Sequence, residues 1–244
     1  MEHELWFTAL LNGILGGPVS ALLDTLGFHP ESPAHPIPNF VAMQILAAGA
    51  MVILLELVRR RLSVERPGGL QQTFEGLAEA IGEQSDDIVG HGGRRFVPLL
   101  FTLAMFIFLC NVLGIIPTLE TPTDQISVTV GCALVAFCYY NFCGVRHHGI
   151  GHYLKTFMGP IAPMAPLMIP IEIVSHLARV LSLSVRLYAN MLAGHQVTLV
   201  FTALVPLLVP VVFEGLHIFV AALQAFIFIL LTMIYLAGAV SEEH

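Results

Sequence analysis

Apolar residues run through this chain in long blocks, and polar residues recur inside the later blocks at helical spacing. Crossing a lipid core of ~30 Å takes about 20 apolar residues. Three blocks meet that length: Asn39–Val58, Phe96–Ile116 and Ile126–Val145. Between the first two, LQQTFEGLAEAIGEQSDDIVG places Phe74, Leu77, Ile81 and Ile88 at helical intervals among acids and glutamines. This predicts an amphipathic helix near residues 70–90 that lies along the membrane. The opening MEHELWFTALL has acidic flanks and runs into Gly16, Gly17 and Pro18, which predicts a short surface helix rather than a secretory signal.

The last two blocks are longer. Pro170 to about Leu204 makes a helix of ~50 Å and Val211–Val240 one of ~45 Å, at 1.5 Å per residue. Neither stands upright in a ~30 Å core, and an excess of that size is absorbed by tilt. Pro166 and Pro170 suit a helix start, and Pro206 with Pro210 suits a turn. The expected fold is therefore an all-α integral membrane protein. It has five membrane helices and an amphipathic surface helix, and the last two helices form a steeply tilted hairpin. Three regions follow: an external segment 1–38, three membrane helices within 39–160, and the hairpin within 161–244.

Composition agrees, with 56% hydrophobic and 11% charged residues against the ~25% charged typical of soluble domains. The net charge of −7 argues against a nucleic-acid partner, because a phosphate-binding surface needs a basic excess. Placement of the basic residues gives an orientation, since short cytoplasmic loops collect them. Arg59, Arg60, Arg61, Arg66, Arg94 and Arg95 lie between the first two spans, and Arg146 and Lys155 follow the third. None precedes Arg59, and TLETPTDQ carries only acids. The N terminus is expected outside and the C-terminal SEEH in the cytoplasm. Cys110, Cys132, Cys138 and Cys143 fit neither a zinc site nor a disulfide framework and are expected to pack.

The candidate chemistry lies in the hairpin. Glu172, Ser175, Arg179, Ser182, Arg186 and Asn190 follow one another at intervals of 3, 4, 3, 4 and 4, which puts them on one helix face. On the next helix Glu214, His217 and Gln224 repeat the pattern, Ala221 keeps the stripe open, and Tyr235 lies near the far end. Serine and asparagine in such stripes also join helices by hydrogen bonds, so Ser175, Ser182 and Asn190 are open to that reading. The ionisable set Glu172, Arg186, His195, Glu214 and His217 exceeds what packing requires. His and Glu can exchange protons, whereas arginine keeps its own and acts as a fixed charge. A relay with an arginine in its middle is interrupted there, unless another molecule carries the proton around it.

The stretches LSLSVRLYANMLAGH (181–195) and LQAFIFILLTMIYL (223–236), with NVLGIIP (111–117) and TPTDQISVT (121–129), resemble subunit a of the F-type ATP synthases. The resemblance runs from about Phe40 to the end of the chain. It implies a non-catalytic stator with two offset half-channels beside a ring of c subunits. Its expected partners are the c-ring, subunit b of the peripheral stalk and the rest of the synthase. The expected setting is the lipid bilayer of a bacterial plasma (inner) membrane. On this resemblance Arg186 faces the ring carboxylates and blocks direct proton passage, with Asn190 and Gln224 beside it. His195 and His217 match the outer half-channel, Asp124 matches an acid near its entrance, Glu172, Ser175 and Ser182 match the inner one, and Tyr235 matches a tyrosine lower on the last helix.

One departure stands out. Some bacterial members pair a glutamate at the position of His195 with a histidine at that of His217, and mitochondrial members show the opposite exchange. Both are histidine here, and Glu214, one turn before His217, is expected to complete a His195–His217–Glu214 cluster. The alternative is a proton-coupled secondary transporter, but the internal repeat and paired broken helices of that class are absent. Neither HExxH nor a GxSxG serine suggests a hydrolase. RHHGIGH carries His147, His148 and His152 without a nearby carboxylate or cysteine, so no metal and no other cofactor is expected.

Overall fold

A computed structural model describes residues 5–25, 35–90, 92–116, 119–151, 165–204 and 208–240. Seven long helices account for most of them. They are α1 (Trp6–Thr25), α2 (Asn39–Arg60), α3 (Gly69–Val89), α4 (Val97–Leu113), α5 (Ile126–His148), α6 (Ala165–Leu204) and α7 (Leu208–Val240). Short 3₁₀ turns at Gly93–Phe96 and Pro122–Asp124 lead into α4 and α5. Six helices, all but α3, are long and apolar enough to cross a membrane.

α1 departs from expectation. It runs 20 residues straight through Gly16, Gly17 and Pro18. Gly16 lies against the Pro36 ring, Asn12 exchanges hydrogen bonds with the backbone of Ile37 at 3.2 and 3.0 Å, and the Leu5 N–H donates to Asn39 Oδ1. Leu11 packs on Ile37, Ala42 and Met43. These contacts dock α1 on the Pro36–Asn39 segment and the first turns of α2.

The core is built by α7. Ala221, Gln224, Ala225, Phe228, Ile229, Thr232, Met233 and Leu236 are buried at alternating intervals of three and one, which is the inward face of one helix. Phe228, Met233 and Leu236 pack with Leu100 and Ile107 of α4, Ala136 and Tyr140 of α5, and Leu183 and Leu187 of α6. α3 is the amphipathic helix and adds Ile81 to this core. It turns into α4 through Gly90 and Gly92, whose φ angles of 87° and 93° favour glycine. There the Ser85 hydroxyl donates to the Gly93 carbonyl at 2.9 Å, and Arg94 pairs with Asp86 at 3.0 Å.

Helix limits shift modestly. Arg59 and Arg60 extend α2, paired with Glu56, and α5 continues through His148. Pro170 lies inside α6, which begins a turn earlier than expected, and Pro210 sits in the first turn of α7. Pro206, His152, Lys155 and SEEH fall outside the described residues. The expectation that all four cysteines pack is corrected at one position: Cys110 and Cys132 are buried and Cys143 is half-buried, but Cys138 is exposed on α5.

Candidate functional site

α6 and α7 pair antiparallel, and three cross-contacts set their register. Arg179 lies over the Tyr235 ring, 5.3 Å from its centroid. Asn190 donates through Nδ2 to Gln224 Oε1 at 2.6 Å. The Gly194 backbone abuts His217, where an added methyl would lie 3.0 Å from both Cε1 and Nδ1 of the ring. The polar residues of the two helices are thereby gathered into two separate groups.

The first group contains Asn190, Gln224, His195, His217, Glu214 and Asp124. A cavity of about 200 Å³ between the helices is lined by Asn190, Gly194, Thr198, Phe213 and His217 among others. His217 is within electrostatic reach of both Glu214 and His195, and His195 in turn of Asp124. His195, His217, Glu214 and Asp124 thus share one electrostatic neighbourhood. The Nε2 atoms of His217 and Gln224 are buried and make no hydrogen bond to the described residues. Such groups call for a polar partner, commonly internal water.

The segment bearing Asp124 is held from beneath. The Thr123 hydroxyl donates to Asn111 Oδ1 of α4 at 2.6 Å, both buried. Thr121 closes over Gly114, where a methyl group would overlap its hydroxyl. Asn111, Gly114, Thr121 and Thr123 therefore act as a mount for Asp124. Burial raises the Asp124 carboxyl above its ordinary pKa, opposed by the neighbouring His195 and a hydrogen bond from Gln125.

The second group lies at the other end of the hairpin. Glu172 Oε1 is 3.4 Å from His176 Nε2, one turn on, and His176 Nδ1 shares a 2.7 Å hydrogen bond with the Tyr140 hydroxyl of α5. The His176 and Tyr140 rings stack at 5.8 Å, and Tyr140 also touches Tyr235. Ser175 is half-buried on the same helix turn. Sequence reasoning missed His176 and Tyr140. The i,i+4 spacing of Glu172 and His176 was a readable signal; Tyr140, on another helix, left none.

Between the groups the interior is apolar. Leu183, Leu187 and Phe228 are at most 2% exposed and fill the space where α6 meets α7. The buried hydroxyls of Ser184 and Thr232 are spent on backbone carbonyls of their own helices. Arg186 stands at this level, half-buried, with no carboxylate partner among the described residues. Beside it the outer face of α6 is apolar and uncovered: Val174 is 63%, Leu181 61% and Val185 46% exposed. Ser182, exposed, borders the same face.

A multi-pass helical membrane protein with two polar clusters, an apolar interval between them and an arginine without a carboxylate partner among the described residues, beside an open apolar face, belongs to the ion-translocating membrane proteins. The model of the ATP synthase A chain family matches residues 41–237. The chain is 50% identical to the ATP synthase subunit a of Solibacter usitatus, over 96% of this chain and 100% of that one. It is 47% identical to that of Koribacter versatilis over the full length of both. The chain belongs to the ATP synthase A chain family.

Proposed function

We propose that this chain is the proton-translocating stator subunit of an F-type ATP synthase, non-catalytic itself, and that its two polar clusters are the inner ends of two half-channels. The observation that carries this reading is the apolar interval. A proton reaching the Asn190–Gln224–His217 cluster meets Leu183, Leu187 and Phe228 before it can reach Glu172 and His176. Passage through the protein is closed, so the proton must leave the chain, travel on a partner and return.

The open face of α6 supplies the place. A ring of c subunits against Val174, Leu181 and Val185 would bring each ring carboxylate past Arg186. Approaching from the arginine, a carboxylate takes a proton from the outer cluster and becomes neutral enough to enter lipid, where a bare carboxylate is costly. After nearly a full turn it releases the proton to the inner cluster and returns, charged, to Arg186. Arginine suits this role because it holds an anion without surrendering its own proton. The helix lengths support steep tilt: 40 residues in α6 and 33 in α7 give ~60 and ~50 Å at 1.5 Å per residue. In this reading the N terminus is outside and the C terminus cytoplasmic, and subunit b joins the remaining membrane face.

The test is proximity. With cysteine at Val185 and along the outer ring helix, oxidation of membranes should give a stator–ring disulfide and stop ATP-driven rotation. If Val185→Cys never cross-links to the ring, while an outward cysteine such as Cys138 does, the ring does not lie on this face.

A further inference from the structure

His176 and Tyr140 sit apart from the stripes read in the sequence, yet they make the closest polar contacts of the inner cluster. His176 is 9% and Tyr140 2% exposed, whereas the Glu172 side chain is 39% exposed. Depth and contact together order the three groups. Tyr140 is innermost, His176 bridges, and Glu172 opens outward.

We propose that His176 is a proton carrier of the inner path, oriented by Tyr140 and emptied through Glu172; this rests on the stator reading above. Nδ1 is engaged by the Tyr140 hydroxyl, and stacking of the two rings holds the imidazole flat against the phenol. Nε2 is thereby directed at the Glu172 carboxylate. A phenol hydroxyl can donate or accept. When Nδ1 is bare the hydroxyl donates to it; when Nδ1 bears a proton the hydroxyl accepts. The ring thus keeps its place in either tautomer and as imidazolium. In the transfer itself, a protonated ring carboxyl gives up its O–H proton through water and is left as the carboxylate, and neutral His176, with its own proton on Nδ1, takes that proton at Nε2. The resulting imidazolium then passes the Nε2 proton to the Glu172 carboxylate, which releases it to water. One N–H bond forms and breaks, and charge returns to its starting value.

The charged and titratable groups facing His176 fit a carrier that must not retain its proton. Among the described residues these are Glu172 and Arg179 on α6 itself, Tyr140 on α5, and on α7 Tyr235, which touches Tyr140 and lies under Arg179. Glu172 attracts an imidazolium, and Arg179 one turn away repels it. Stacking the guanidinium on Tyr235 holds that repulsive charge in place.

The experiment is ATP-driven acidification of inverted vesicles by the intact complex, read across cytoplasmic pH, with subunit content checked after purification. In His176→Ala, pumping should fall ~10-fold or more, as expected on losing a positioned acid–base group, and added imidazole should restore part of it. Tyr140→Phe keeps the ring packing but frees Nδ1, and should shift the pH profile while costing less of the maximum rate than His176→Ala, since the carrier itself is retained. Native rate and profile in both variants would overturn the proposal. So would a loss in His176→Ala that imidazole does not relieve, alongside an unshifted profile in Tyr140→Phe. If His176→Ala fails to assemble, the Tyr140→Phe profile alone decides. Failure here with pumping still abolished in Arg186→Ala would leave the stator reading intact.

Discussion

At the scale of single residues, Asp124 and Arg186 show how placement alters chemistry. Asp124 has its pKa raised by burial, so the folded protein holds that proton more tightly than the unfolded chain does. Its contribution to stability is therefore full below the ordinary value of 3.8 and is lost as pH rises through the raised folded value. Asp124→Asn, which mimics the protonated form, should be at least as stable as the native protein at pH 7. The difference should vanish near pH 4, as thermal unfolding in detergent at the two values would show. A native protein more stable than the variant at pH 7 would contradict the direction. Much at this scale was legible. The spacing of Glu172, Arg186, Asn190, His217 and Gln224 is a local pattern, and so it survives in a linear sequence. Tyr140 was not legible, because its link to His176 spans 36 positions and depends on α5 packing against α6.

At the scale of elements, close approach of helices decides what a residue can do. Gly194 lets α6 pass against the His217 imidazole. Gly194→Ala should push that ring aside by a few tenths of an ångström, and the outer cluster should lose pumping rate more than the complex loses stability. Equal pumping in this variant would show that the His217 position is not critical. Gly92, at φ 93° and ψ 13°, ends the turn that ties α3 to α4. Gly92→Ala should cost ~1 kcal/mol of stability, the scale of placing a side chain in the left-handed region, with no change in the pH profile. Helix existence was legible throughout, because length and apolar content decide it in a membrane. The course of α1 was not: Gly16, Gly17 and Pro18 read as breakers, and the contacts with Pro36, Ile37 and Asn39 that dock it lie beyond any local window.

At the scale of the whole molecule, the contacts of α1 bear on how the chain sits in the membrane. Length and hydropathy allow α1 to cross, whereas its acidic flanks and the glycine–proline run read as a surface helix, and its contacts run from Leu5 against Asn39 to Gly16 against Pro36. Single cysteines at Trp6 and Thr25, in a background without the four native ones, should both react with an impermeant maleimide from the same, outer side. Labelling from opposite sides would make α1 a sixth crossing and reverse the N terminus. The central claim concerns the apolar interval and the arginine beside it, which together force protons onto a partner. It is tested most directly by comparing native and Arg186→Ala complexes in inverted vesicles, for ATP-driven acidification and for passive proton leak after removal of the catalytic head. The account predicts loss of pumping together with an increased leak. Pumping at near-native rate with an unchanged leak would contradict it.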